Sequence, residues 1–346
     1  MRQWKELSDD FTWQWQEIVD GTRLGPMVNR CPADWHIDHM ALCVERNHPV
    51  YQSRQTLSRG NKALTIKVKL KRHKLEHMMF YGTDKDGLLE VAAIVHVDDF
   101  LVVFRQDYEE QQLLQHFTWG SQSFLTEQTP IIFRGKEINL VRENDLLVTK
   151  VTQMSFIKEL TPGALPRGRL NGAETLNTAE WKEYRSCAGS LQWLSGQTRP
   201  DVCSTASLSN KGMDTGPKEL QALYQCIDMV RNTSDIIGIL YYPTGFDQAM
   251  HLVAYGDSSW ANAHQSKSQM GIVILCCSPA CLDGATRASL LDGKSARSPR
   301  VTRSALAAEA NAMDEAVDRC CYINAYITEM LYNQKEPLGA RLLKQL

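Results

Sequence analysis

The sequence predicts a mixed fold, α+β or α/β, built as more than one domain, and three observations lead there. The chain has 346 residues, whereas a single core usually serves on the order of 100 to 200. Hydrophobic residues make up 43% and charged residues 23%, so apolar surface suffices for packed cores and no polar excess argues for disorder. The apolar pattern also changes along the chain, from β-branched runs to helical spacing to short strands closed by one long helix.

Residues 1–74 show irregular periodicity and are assigned to no series of elements. At their end, Thr65 to Lys74 alternates Ile66, Val68 and Leu70 with Lys67, Lys69 and Lys71, which predicts a strand with lysines on one face. That face is a candidate phosphate contact; the plainer reading is the solvated side of an edge strand. Leu89 to Val97 and Phe100 to Phe104 are apolar runs flanking Asp98-Asp99, and they predict two buried strands joined by a tight acidic turn. Thr161 to Asn177 is rich in Pro and Gly and reads as a boundary or long loop. Asn177 with Glu180 forms a capping-box pattern that opens a helix through Trp181, Cys187, Leu191 and Leu194 as far as Gly196. Pro217 suits the first turn of another, carrying Leu220, Leu223, Ile227 and Val230. Short strands follow at Met250 to Tyr255 and Gly271 to Cys276. A helix from Ser304 to Leu331 then places Leu306, Ala310, Met313, Val317 and Cys320 on one stripe, expected to lie on the strands.

Composition narrows the function classes. Met1 to Phe11 has neither a signal pattern nor a run able to cross a bilayer, so the expectation is a cytoplasmic or nuclear protein with no membrane partner. The ten cysteines show no CxxC spacing and read as reduced thiols. A net charge of -2 means that any nucleic-acid binding must come from local basic faces. Cys31, His36, His39 and Cys43 form a zinc set on spacing alone, without the paired ligands two to four residues apart on both sides that structural zinc sites usually show.

Asp98 and Asp99 carry the sharper chemistry. Two adjacent carboxylates at the end of a buried sheet repel, and a divalent cation bridging them would relieve the strain. An Asp-Asp turn alone is weak evidence, since aspartate is a common turn residue. Here the pair stands in His96-Val97-Asp98-Asp99, which resembles the hairpin of reverse transcriptases in the Val-Asp-Asp form of copia-type retrotransposons. Further matches keep that family's order: Met79-Phe80-Tyr81 and the turn Asp84 to Gly87, then Phe133-Arg134-Gly135-Lys136-Glu137-Ile138, then Gln153 to Leu160. Tyr184-Arg185-Ser186, Gly189-Ser190-Leu191 and Thr198-Arg199-Pro200-Asp201 come next. In the last third, Asp257 in Tyr255 to Ala261 and Glu309 in Arg300 to Glu309 resemble the first-strand aspartate and the helix glutamate of the copia-type ribonuclease H. Glu309 flanks the expected apolar stripe, so its side chain is placed to face the sheet and to share a metal with Asp257.

The resemblance implies a partial reverse-transcriptase palm with the VDD hairpin over residues 75–160. It implies a mostly helical thumb or connection over 161–247, and a truncated ribonuclease H-like domain over 248–346. It further implies Mg²⁺ held by Asp98, Asp99, Asp257 and Glu309 as catalytic carboxylates, with an RNA/DNA template-primer or an RNA-DNA hybrid as partner. The chain departs from the family pattern in three places. The third polymerase aspartate is missing, Asp34 and Asp38 being the nearest candidates. No Asp follows Asp318, although the nuclease family uses two more beyond the long helix, and Gly293 stands where that family has a tryptophan. The expectation is therefore a polymerase and ribonuclease H fragment inactive as an isolated chain; the alternative is a non-catalytic nucleic-acid-binding or structural remnant.

Overall fold

The computed structural model describes residues 40–45 (backbone only), 64–65, 68–96, 99–105, 108–109, 111–117, 119–144, 146–170, 175–242, 250–284 and 286–331. Every strand pairing among them is antiparallel, which makes the mixed fold one of the α+β kind.

The first sheet contains β1 (Met40–Glu45), β2 (Lys71–Arg72), β3 (Met79–Thr83), β4 (Leu89–His96), β5 (Asp99–Phe104) and β6 (Trp119–Phe124) in the order β2-β3-β4-β5-β1-β6. Burial alternates along β4 and β5 with the period of a pleated strand. Val91, Val95, Phe100 and Val102 pack with Phe80 and Leu113 on one face. Ile94 and Leu101 on the other meet a second sheet through Leu125, Ile131 and Ile138.

That second sheet comprises β7 (Ile131–Phe133), β8 (Lys136–Glu143), β9 (Leu146–Thr152) and β10 (Ile239–Tyr241), ordered β10-β9-β8-β7. The β7–β8 turn is Arg134-Gly135 with φ of 52° and 71°. A two-residue hairpin turn with both φ positive follows the twist of its strands, and glycine takes such a φ without strain.

Thr65 to Lys74 does not form the expected alternating strand. Leu64 and Leu70 are both buried, and Leu70 N donates to Leu64 O at 3.0 Å, so the chain turns to put both leucines into the core. Lys69 sits at a φ of 63° outside any strand, Lys71 begins the two-residue β2, and Lys67 lies outside the described residues.

The helical block contains α1 (Met154–Glu159), α2 (Thr178–Ser195), α3 (Cys203–Leu208) and α4 (Pro217–Asn232). The expected capping box is formed: Asn177 Oδ1 accepts from the amides of Ala179 and Glu180, and Glu180 accepts from Asn177 N. Leu220, Leu223, Ile227 and Val230 of α4 share one core with Leu191 and Leu194 of α2. Arg199, fully buried, donates to both Asp201 oxygens, Val230 O and Thr233 Oγ1, which ties the loop after α2 to the end of α4.

The last block is β11 (His251–Ala263), β12 (Lys267–Cys277) and β13 (Ala288–Arg297), a three-stranded antiparallel meander covered by α5 (Ala305–Leu331). The strands run further than their apolar stretches because pairing continues through Ser258 opposite Met270 and Ser259 opposite Gln269. The face of α5 differs from expectation. Leu306 is 80% and Val317 53% exposed, while Ala308, Ala312 and Ala316 are buried. The cause is close approach: a Cβ on Gly256 would lie 2.8 Å from Ala312 O and 3.1 Å from Met313 Cα, so only small side chains fit there, while Cys320 of the expected stripe and Ile323 pack further along beside Ile272 and Ile274. Gly293 of β13 pairs with Val273 of β12, and a Cβ on it would lie 2.9 Å from Pro200 Cβ.

The far end of α5 is clasped to the first sheet. Buried His73 accepts at Nδ1 from the amides of Leu75 and Glu76, which leaves the proton on Nε2, 3.1 Å from Tyr326 O. Nε2 is also 3.8 Å from Glu329 Oε2, and Lys74 N donates to Glu329 Oε1 at 3.0 Å. Burial, reinforced by the Glu329 charge, pushes Tyr81 beside them up to about 12.

Candidate functional site

The acidic hairpin of the first sheet has its strands at Leu89–His96 and Asp99–Phe104, with His96 opposite Asp99. Asp99 is thus the first residue of β5 rather than part of the turn. It lies between strands, opposite Val44 of β1 on its other side. The His96 ring meets Phe133 edge-on at 6.4 Å, which brings the β7–β8 turn to this tip. Asp98 lies outside the described residues, as do Asp34, Asp38, Cys31, His36, His39 and the side chain of Cys43.

Asp257 and Glu309 do come together. Ser258 N donates to Asp257 Oδ1 at 2.9 Å and to Glu309 Oε2 at 3.0 Å, so one backbone N–H holds an oxygen of each carboxylate. β11 supplies Asp257, and the seat of Ala312 on Gly256 brings the first turns of α5 down beside it. Burial pushes the Glu309 carboxyl above its usual range; the negative charge of Asp257 and a hydrogen bond with it push the same way, and the Ser258 N–H opposes them. Asp257 is exposed and Glu309 half-buried, so the pair opens to solvent.

Such a pair can share a proton or a cation. Its donors are carboxylate oxygens, the type a hard divalent cation prefers, and the Ser258 contact leaves the second oxygen of each group to supply them. The fit is one of kind, with two protein ligands. Among the described residues no group of three or more His, Cys, Asp and Glu is placed to hold a metal ion.

The eight described cysteines carry free thiols, and burial pushes Cys226 and Cys276 up to about 11, which makes these two packing groups rather than nucleophiles. No helix among the described residues is long and apolar enough to cross a membrane. Sequence reasoning missed Ser258, whose contribution is a main-chain N–H, and Gly256. For Gly256 a signal existed: an isolated glycine in a strand often marks the close approach of another backbone.

No protein-family model, no curated protein and no solved structure matches the chain.

Proposed function

We propose that this chain is a stretch of a copia-type retrotransposon polyprotein, joining the end of a reverse transcriptase to the start of a ribonuclease H, with Asp257 and Glu309 as metal-binding carboxylates of the nuclease part. The observation that carries the reading is their meeting at one N–H across 309 - 257 = 52 residues. Like charges so close are relieved by a cation, and Mg²⁺ takes carboxylate together with phosphate oxygens. Bound there, the ion would polarise a phosphodiester and favour attack by water. The chain's own part is placement: Ser258 N–H orients the two carboxylates, and Gly256 lets α5 approach closely enough for them to meet. In the polymerase part, Asp98 and Asp99 are the corresponding carboxylates.

Two carboxylates hold Mg²⁺ weakly, because this ion keeps its waters unless several oxygens replace them, and the 346-residue chain by itself neither extends a primer nor cuts a hybrid. The test is Mg²⁺ titration of the wild type and of the Asp257→Asn/Glu309→Gln variant, followed at the Ser258 amide by NMR, beside incubation with a labelled RNA-DNA hybrid and with a template-primer. A weak Mg²⁺-dependent shift in the wild type alone, without turnover, is expected. An unresponsive wild type removes the metal site; cleavage above the variant, or extension above Asp98→Ala/Asp99→Ala, overturns the inactivity. A second reading, a non-catalytic nucleic-acid-binding or structural remnant, is motivated by the meeting of two carboxylates alone at Ser258 N, where Mg²⁺ takes several oxygens. On that reading binding survives the double variant and weakens steeply as salt rises.

A further inference from the structure

We infer that two ion pairs of opposite polarity between β13 and α5 are positioning groups, which select the turn of α5 that lies over β11 and so set Glu309 beside Asp257. Lys294 Nζ is 2.8 Å from Glu315 Oε1, and Arg319 Nε is 3.1 Å from Asp292 Oδ2. The partners are two residues apart on the strand and four apart on the helix, in opposite order. Two strand residues span about 6.6 Å and four helical residues about 6 Å, so β13 and α5 run antiparallel in step. Gly256 under Ala312 and Ser258 under Glu309 repeat the relation on β11.

Alanine packing over Gly256 does not by itself choose the turn. The first turns of α5 present Ala308, Ala312 and Ala316 in a row, before Cys320 and Ile323 pack beside Ile272 and Ile274, so sliding α5 by one turn seats an alanine on Gly256 again. The charges do not repeat in this way. A slide that carries Ala308 to Gly256 brings Glu315 to Asp292 and Asn311 to Lys294. The opposite slide brings Arg319 to Lys294 and Ile323 to Asp292. Each slipped register exchanges two attractive contacts for a repulsive one, and would leave Ala305 or Met313 where Glu309 stands. Alternation of sign opposes both slides at this end of α5, as the contact of Glu329 with Lys74 N does at the far end. With two acids on the strand and two bases on the helix, either slide would keep an attractive pair and meet no repulsion.

The inference rests on the proposed function only for what the carboxylate pair does; how Glu309 is placed stands apart. The test compares three forms of the full chain by NMR, reading the Ser258 amide resonance and the contact between the α-protons of Gly256 and Met313. Lys294→Glu/Glu315→Arg keeps two attractive pairs but makes their polarity uniform. Asp292→Lys/Lys294→Asp/Glu315→Lys/Arg319→Glu inverts every charge and keeps the alternation. The inverted form should give the single wild-type set. The uniform form should show a second set, with Gly256 contacting Glu309 or Val317, roughly tenfold more populated than in the wild type. A single native set in the uniform form, or loss of that set in the inverted form, overturns the inference. Native registers without Mg²⁺ binding would count against the proposed function and leave the inference standing.

Discussion

Glu309 holds its proton to higher pH when folded than when unfolded, because it is partly desolvated beside Asp257. In the window just above the ordinary glutamate value of 4.5 the folded state binds more protons than the unfolded one, so stability falls as pH rises through that window. Glu309→Gln keeps an acceptor for Ser258 N and removes the titration. Urea unfolding of both proteins at about pH 4 and about pH 7 should show the wild type losing a few tenths of a kcal/mol relative to the variant, small because solvent screens the pair; the opposite slope would discard the assignment. Asp257 and Glu309 could be picked out of the sequence because side-chain identity marks them. Ser258 could not, since a main-chain N–H leaves no trace in residue type. Lys69 misled for a related reason: alternating charge reads as a strand, while the need to bury both Leu64 and Leu70 bends the chain there.

Elements whose determinants are local were legible. The box at Asn177 and Glu180, the stop at Gly196 and the start at Pro217 all stand where the sequence puts them, because each depends on neighbours within a few residues. Asn177→Ala should cost about 1 kcal/mol, measured by urea unfolding, and an unchanged midpoint would show that the box contributes nothing. Elements that depend on distant partners were not legible. β10 is a three-residue strand whose partner β9 lies some ninety residues earlier, with Ile239 opposite Val151, and no periodicity announces such a pairing. The buried face of α5 was misjudged because the bulkier stripe looked like the core, whereas the distance between helix and sheet at Gly256 admits only small side chains. Gly256→Ala should therefore cost about 1–3 kcal/mol and speed hydrogen exchange at the Ser258 amide. A variant with wild-type melting and exchange would show that the approach is not tight.

At the scale of the whole molecule, the clasp at His73 joins the first sheet to the last turns of α5. Glu329→Ala removes the acceptor of Lys74 N and the carboxylate beside His73 in a buried setting, and should cost about 1–3 kcal/mol. Thermal melting and protease cleavage after Lys71 to Lys74 would report it, and a variant as resistant as the wild type would count against a stabilising clasp. Its effect should reach beyond the contact, because α5 carries Glu309 at its other end, 329 - 309 = 20 residues away or about 30 Å of helix. The clasp also dictates an order of events during synthesis. Lys74 leaves the ribosome 255 residues before Glu329, and translation at about 5–20 residues per second makes that interval roughly 13–50 s. For that time the nascent first sheet waits with the seat at His73 unfilled, and α5 is the segment that fills it.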